Sequence, residues 1–114
     1  MGLDAEKLVK DMTGAAAQAL ATKWPNARSF AEPQIRKLAD EITRIEALLA
    51  ARKITADDAS DRIAMLEEAF QSVMGTAEAI AVLEVERAVN AVLAAMRAPV
   101  EKGARDQAGL IPLT

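Results

Sequence analysis

The sequence contains no cysteine, no histidine and no tyrosine, and its only aromatic residues are one tryptophan and two phenylalanines. Without cysteine, the chain has neither disulfide bonds nor thiol chemistry. Without histidine and tyrosine, it lacks the most common general base, a common ligand of transition metals and a phenolic acid. The sequence therefore predicts a protein that is not an enzyme and that has no metal or cofactor site.

Positive charge is not in excess either, because the chain has 14 lysines and arginines against 17 aspartates and glutamates, which gives a net charge of −3. Nucleic-acid-binding proteins commonly carry a basic surface, and those that bind single strands stack bases on aromatic side chains. The chain shows neither feature, so we expect no nucleic-acid partner.

Long apolar runs are missing too. No stretch approaches the ~20 apolar residues that a membrane-spanning helix needs. The first ten residues include Asp4 and Glu6 and contain no apolar segment of signal-peptide length. We therefore expect no membrane span and a cytoplasmic location.

The composition favours helices with a thin core. The chain has 114 residues, a length typical of one domain, and 52% of them are apolar. Much of this apolar content is alanine, which buries little surface per residue. The composition therefore predicts a helical protein that completes its core with a partner.

The first predicted helix spans residues 3–23. Gly14 either weakens this helix or lets another helix approach closely. Pro25 predicts a break after Lys23, because a proline disfavours helical geometry in the residue before it. One face collects apolar residues at spacings of three and four: Ala5, Leu8, Val9, Met12, Ala16, Ala19 and Leu20.

The second predicted helix spans residues 31–53. Its start is placed between Arg28 and Pro33, because a proline is tolerated in the first helical turn. Ser29 and Glu32 have the spacing of a capping box at this start. A heptad seam then follows at Ala31, Ile35, Leu38, Ile42, Ile45, Leu49 and Arg52.

Thr55 and Asp58 have the spacing of a second capping box, which predicts that a third helix begins at Ala56. About three residues then separate the second helix from the third. So short a connection forces neighbouring helices to run antiparallel. The sequence therefore predicts a helical hairpin.

The third helix is predicted to span residues 56–98, since no proline interrupts this stretch. Gly75 marks either a bend or a close approach of another backbone. Residues 99–114 are predicted to form a non-helical tail whose apolar end docks on its own bundle or on a partner. The apolar stripe of the helix repeats every eleven residues: Ile63, Leu66, Phe70, Met74, Ala77, Ala81, Val85, Ala88, Val92 and Met96.

The second half of this long helix is apolar on more than one side and must be buried. The second helix is too short to cover it and the first helix can cover one side, so a second copy of the chain is expected to cover the rest. The polar residues of this half either form a solvated stripe or provide a polar layer, in which Glu84 or Arg87 pairs across a dimer and fixes its register. The predicted oligomer interface contains Ala77, Ile80, Ala81, Glu84, Val85, Arg87, Ala88, Val92 and Met96.

Asp57, Asp58 and Asp61 form an Asp-Asp-x-x-Asp pattern that resembles the Mg²⁺–diphosphate motif of isoprenoid synthases. Those enzymes also need a second acidic motif and a large apolar cavity. We interpret the three carboxylates as the acidic first turn of a helix, where the helix dipole favours negative charge.

Taken together, these patterns predict an all-α protein: a helical hairpin plus an N-terminal helix, in one domain over residues 1–98, assembled into an oligomeric bundle with a dimer favoured. The expected function is protein interaction or a structural role without catalysis, with a further, unidentified protein partner. The alternative is a bundle that binds a small apolar ligand or a lipid.

Overall fold

A computed structural model of the protein describes residues 4–77 and 81–108, with side chains up to Arg97. This part of the chain is helical and contains no strand, which confirms the predicted all-α class. One turn of 3₁₀ helix, Ala21–Lys23, joins the first two helices. The four α-helices are α1 (Ala5–Leu20), α2 (Trp24–Ala50), α3 (Ala56–Met74) and α4 (Val82–Ala108).

Helix α1 begins after Asp4, whose carboxylate accepts hydrogen bonds from the backbone N–H groups of Glu6 (3.0 Å) and Lys7 (3.3 Å). It ends before Ala21, which has a φ of 51° and so leaves the helical region. Gly14 is exposed, and a Cβ built on it would meet no atom within 4 Å. Gly14 therefore does not mark a close helix contact.

The predicted start of the second helix is wrong. Helix α2 begins at Trp24, Pro25 lies in its first turn, and Pro33 lies inside the helix. Ser29, expected to be a cap, is an exposed interior residue. Pro33 and Ser29 are both exposed. Pro33 has no N–H to donate to the carbonyl of Ser29, and water can hydrogen-bond this carbonyl instead, so the proline is tolerated.

Helix α3 begins at Ala56, after a connection of five residues that includes Arg52 with a φ of 59°. A capping box closes its first turn. The backbone N–H of Asp58 donates to Thr55 Oγ1 (3.1 Å), and the N–H of Thr55 donates to Asp58 Oδ2 (3.4 Å).

The single helix predicted for residues 56–98 is wrong. Helix α3 ends at Met74 with Gly75 as its cap, and Thr76 Oγ1 donates a hydrogen bond to the carbonyl of Val73 (2.7 Å). The interruption lets both halves of the apolar stripe face one core: Phe70 and Met74 of α3 lie in the same cluster as Val85 of α4. One straight helix would leave half of the stripe in water.

The predicted non-helical tail also needs correction, because α4 continues through Pro99 to Ala108. A proline keeps a helical φ and removes one backbone hydrogen bond, so it does not always end a helix. The apolar end of the tail, residues 109–114, lies outside the described residues.

Three ion pairs show how the helices are aligned. Arg36 Nη1 of α2 lies 3.1 Å from Glu6 Oε1 at the start of α1, and Lys23 Nζ lies 2.8 Å from Glu84 Oε1 at the start of α4. Arg97 Nε donates to Glu67 Oε2 of α3 over 3.0 Å. Helix α4 packs chiefly against α1, and α3 packs chiefly against α2.

The core lies along α1, the first two thirds of α2 and the facing sides of α3 and α4. Five alanines, Ala16, Ala27, Ala31, Ala39 and Ala88, are fully buried in it and let neighbouring helix backbones approach. Its largest fully buried side chains are Met12, Ile35, Ile42, Met74, Val92, Leu93 and Met96.

Candidate functional site

The residues predicted to form an oligomer interface do not share one surface. Val85, Ala88, Val92 and Met96 are buried in the core of their own chain, where α1 covers α4. Much of the apolar surface that motivated the predicted interface is therefore covered within one chain, whereas Val82 and Leu83 stay exposed. The homo-oligomer itself stays a prediction.

The other predicted interface residues surround the beginning of α4. Ala77 is partly buried against the core, whereas Ala81 and Arg87 are exposed. Ile80 lies outside the described residues. Glu84 is half-buried and makes an ion pair with Lys23 of the same chain.

The electrostatic environment of Glu84 follows from this ion pair. The hydrogen bond from Lys23 holds the pKa of the Glu84 carboxyl below its ordinary value, while burial of the carboxylate opposes the shift. The positive charges of Lys23 and Arg87 lower the pKa further. The second oxygen, Oε2, is buried and has no hydrogen-bond partner among the described residues.

A different surface stands out at the other end of the bundle. Glu6 at the start of α1 pairs with Arg36, and α2 continues for fourteen residues, about 21 Å, to Ala50. This half of α2 packs against the first half of α3. Between them lies a cavity of about 320 Å³, here termed the α2–α3 groove, which reaches Met96 and Arg97 of α4.

Apolar side chains dominate the lining of the α2–α3 groove. The heptad seam of α2 supplies three large side chains, and α3 contributes mostly alanines, whose small volume leaves the space open. The apolar lining comprises Ile42, Ile45, Leu49, Ala56, Ala59, Ile63, Ala64 and Met96.

Four polar residues complete the described lining. Glu46 is buried, with 7% of its surface exposed, and Glu67 accepts the hydrogen bond from Arg97. Ser60 is exposed on α3. The described lining of the groove therefore combines eight apolar residues with an ion pair between Glu67 and Arg97.

A second cavity, of about 490 Å³, lies where α3 turns into α4. Its lining is more polar and includes the amides of Gln71 and Asn90 together with Glu86. Val82 and Leu83 are about three-quarters exposed at the start of α4. Its lining includes Ala77 and Val82, which precede and follow the undescribed residues 78–80 in the sequence, so the α2–α3 groove is the better-defined site.

Within residues 4–77 and 81–108, no group of three or more acidic, histidine or cysteine residues is placed to hold a metal ion. Asp57, Asp58 and Asp61 are all exposed in the first turns of α3, and Asp58 serves the helix cap. No helix in this part of the chain is long and apolar enough to cross a membrane.

Comparisons with protein-family models, with curated proteins and with solved structures give no match to this chain. The function is therefore inferred from the geometry of the α2–α3 groove. Sequence reasoning missed this groove. The signal that was present is the set of alanines at Ala56, Ala59 and Ala64, which oppose the large residues of the α2 seam.

Proposed function

We propose that the protein is a non-enzymatic interaction module that binds an amphipathic helix of a protein partner in the α2–α3 groove. The observation that carries this proposal is the α2–α3 groove, whose described lining includes the partly buried Leu49 and Ile63 and the exposed Ala56 and Ala64 above a buried apolar floor. Amphipathic helices bind such grooves through apolar anchors spaced one turn apart.

A helical hairpin of α2 and α3 would present the groove. Two packed helices leave a furrow that a third helix fills with its side-chain ridges, as in helical bundles. The part of α2 beyond Arg36 is about 21 Å long, which matches about four turns of a helix.

A second copy of the chain is the simplest partner, and a dimer is the expected assembly. If one helix of each copy lies in the groove of the other across a two-fold axis, the contact is closed and does not continue into a filament. This dimer uses the groove and leaves Val85, Ala88, Val92 and Met96 inside each chain.

The test is self-association of two arginine variants. Ala64→Arg fills the groove with a long charged side chain, and Glu67 and Glu68 lie three and four residues on, where they stabilise an arginine in a helix. Ala47→Arg places the same side chain on an exposed α2 position outside the groove. We expect Ala64→Arg to raise the dissociation constant by about tenfold or more, equivalent to about 1.4 kcal/mol, and Ala47→Arg to leave it unchanged.

Sedimentation equilibrium over a wide concentration range measures these constants, and circular dichroism checks that both variants are folded. Equal behaviour of the two variants would show that the groove is not the contact. A monomer at every concentration would exclude the second copy as the partner.

The second candidate function is binding of a small apolar ligand or a lipid. The groove volume of about 320 Å³ is within the range of about 300–1,000 Å³ that is typical of small-molecule sites. Native mass spectrometry of the purified protein distinguishes the two candidates. A bound small molecule that is present in the Ala47→Arg variant and absent from Ala64→Arg would favour the ligand-binding function.

A further inference from the structure

We propose that helix α1 is exchanged between two copies of the chain, so that each α1 packs against α2 and α4 of the other copy. The turn Ala21–Lys23 is the hinge of this exchange. The inference goes beyond the proposed function, because no residue of α1 belongs to the described lining of the α2–α3 groove. The partner is a second copy, since its α1 carries the same side chains.

The strain of this hinge is concentrated in one residue. Ala21 has a φ of 51° and a ψ of −117°, a region that a β-carbon makes unfavourable. The residues around it keep helical dihedral angles, with a φ of −87° at Leu20, −90° at Lys23 and −57° at Trp24. A short hinge under strain favours exchange, because the opened form loses the strain and keeps the helix contacts.

Rotation at Ala21 opens the turn, since the residues on both sides of it are already helical. With a helical φ at Ala21, α1 continues into α2 as one kinked helix. The kink lies at Pro25, which has no N–H to donate to the carbonyl of Ala21, and α2 already contains one such proline, Pro33, in its interior. The opened α1, about 24 Å long, then projects away from its own core and reaches a second copy.

An opened α1 needs a new partner for its apolar face. The closed chain buries this face, chiefly against α4, at Leu8, Met12, Ala16 and Leu20. A single opened chain would expose this face and the facing side of α4 to water. In a pair of opened chains, each α1 fills the place that the other has left, so the buried contacts form again across a two-fold axis. The dimer therefore keeps the core and is free of the strain at Ala21.

One ion pair reports the exchange. Arg36 Nη1 lies 3.1 Å from Glu6 Oε1, which is at the end of α1 remote from the hinge. In the exchanged dimer this pair joins two chains. The ion pair of Lys23 with Glu84 lies on the α2 side of Ala21 and stays within one chain.

The absence of cysteine permits a direct test by cross-linking. One copy carries Glu6→Cys and the other carries Arg36→Cys, and the two are unfolded together in urea and refolded so that copies mix. A short bismaleimide replaces the reach that the two long side chains lose. The control mixture pairs Gln18→Cys with Arg36→Cys, because Gln18 is an exposed residue of α1 about 18 Å along the helix from Glu6.

Mass spectrometry follows the product that has twice the mass of the chain. We expect the mixture with cysteines at residues 6 and 36 to form this product about tenfold faster than the control mixture, because exchange holds the two thiols at a high effective concentration. Equal rates in the two mixtures would overturn the proposal. A product that forms only within one chain, in the double variant with both cysteines, would overturn it as well.

The hinge is tested by Ala21→Gly. Glycine adopts a positive φ readily, so this variant removes the strain from the closed turn. We expect the dissociation constant of the dimer, measured by sedimentation equilibrium, to rise by about tenfold or more. Ala51→Gly is the matched control, since Ala51 is an exposed turn residue with an unstrained φ of −79°. Equal dissociation constants for the two variants, or a monomer at every concentration, would refute the exchange.

The same measurements separate the exchange from the proposed function. If Ala64→Arg weakens association while the two cross-linking mixtures react at equal rates, the copies meet through the groove and the exchange is refuted. If the cross-linking rates differ and Ala64→Arg leaves association unchanged, α1 is exchanged and the groove is not the contact between copies.

Discussion

Lys23 and Glu84 connect the turn after α1 to the first turn of α4 through a contact of 2.8 Å. The sequence predicted a partner for Glu84, but placed it in a second copy of the chain. The pairing across a dimer stays a prediction. The ion pair within the chain was not predicted, because Glu84 was expected to lie in the middle of a long helix. Pairing between residues so far apart in sequence depends on tertiary packing, which residue spacing does not reveal.

The contribution of Glu84 to stability is expected to depend on pH. Its pKa is lower in the folded chain than the ordinary value of 4.5, so the folded state favours the charged carboxylate. This contribution is fully present above the ordinary pKa and is lost as the pH falls through the folded pKa. Glu84→Gln should therefore lower the free energy of unfolding at neutral pH and have less effect near pH 3, as measured by urea denaturation.

The matched control is Glu86→Gln, an exposed glutamate two residues further along the same helix. Lys23→Met adds a second check, since it removes the other half of the ion pair. If Glu84→Gln changes stability equally at neutral and acidic pH, or if its effect persists in the Lys23→Met background, the ion pair is not the cause.

At the scale of the helix, the two prolines of α2 are expected to have opposite effects on the stability of the protein. Pro25 lies in the first turn, where its missing N–H would have had no helical acceptor. Pro33 lies inside the helix and removes the donor to Ser29. The seam that predicted the helix extends back through Ala27 to Trp24 at spacings of three and four, and this was the signal for the earlier start.

Pro33→Ala should therefore stabilise the protein by about 1–3 kcal/mol, because it restores a helical hydrogen bond and outweighs the added freedom of the unfolded chain. Pro25→Ala should instead destabilise it by about 0.4–1 kcal/mol, since only the unfolded-chain effect applies there. Thermal or urea denaturation followed by circular dichroism measures both. The same sign for both variants would refute this account of α2.

The apolar stripe was predicted well, and the helix that carries it was not. Phe70, Met74, Val85 and Ala88 all lie in the core, as the eleven-residue repeat required. The repeat keeps its spacing across Gly75 and the turn, so periodicity alone cannot separate one long helix from two. Gly75 and Thr76 were the local signals of the break, through low helix propensity and a hydroxyl that bonds the carbonyl of Val73.

At the scale of the whole molecule, buried alanines decide how closely the helices pack. Ala88 is fully buried where α4 meets the core, so Ala88→Leu should force side chains and backbones apart. We expect a loss of about 1–3 kcal/mol in the free energy of unfolding, measured by urea denaturation.

Ala94→Leu provides the comparison, because Ala94 is an exposed residue of the same helix. It should change stability by no more than about 0.5 kcal/mol. Comparable losses in the two variants would mean that α4 is not held closely at Ala88.

The α2–α3 groove is also a feature of the whole molecule, because it depends on tertiary packing, and the sequence did not predict it for this reason. A groove depends on which helices meet and where one of them ends. The sequence identified the large residues Ile42, Ile45 and Leu49 of the seam. It could not show that α1 begins opposite Arg36, so that α1 does not cover the part of α2 beyond this residue. The composition predicted a thin core, whereas the structure shows a continuous core at one end of the helical bundle and a groove at the other.

The packing of α1 against α4 has a consequence for synthesis on the ribosome. These are the first and last helices described, so the most extensive helix pair joins residues that are made far apart in time. Until α4 has emerged, the apolar face of α1 around Met12 and Ala16 has only α2 to cover it. The nascent chain therefore exposes this apolar face until α4 has been synthesised, and the packing of α1 waits for α4.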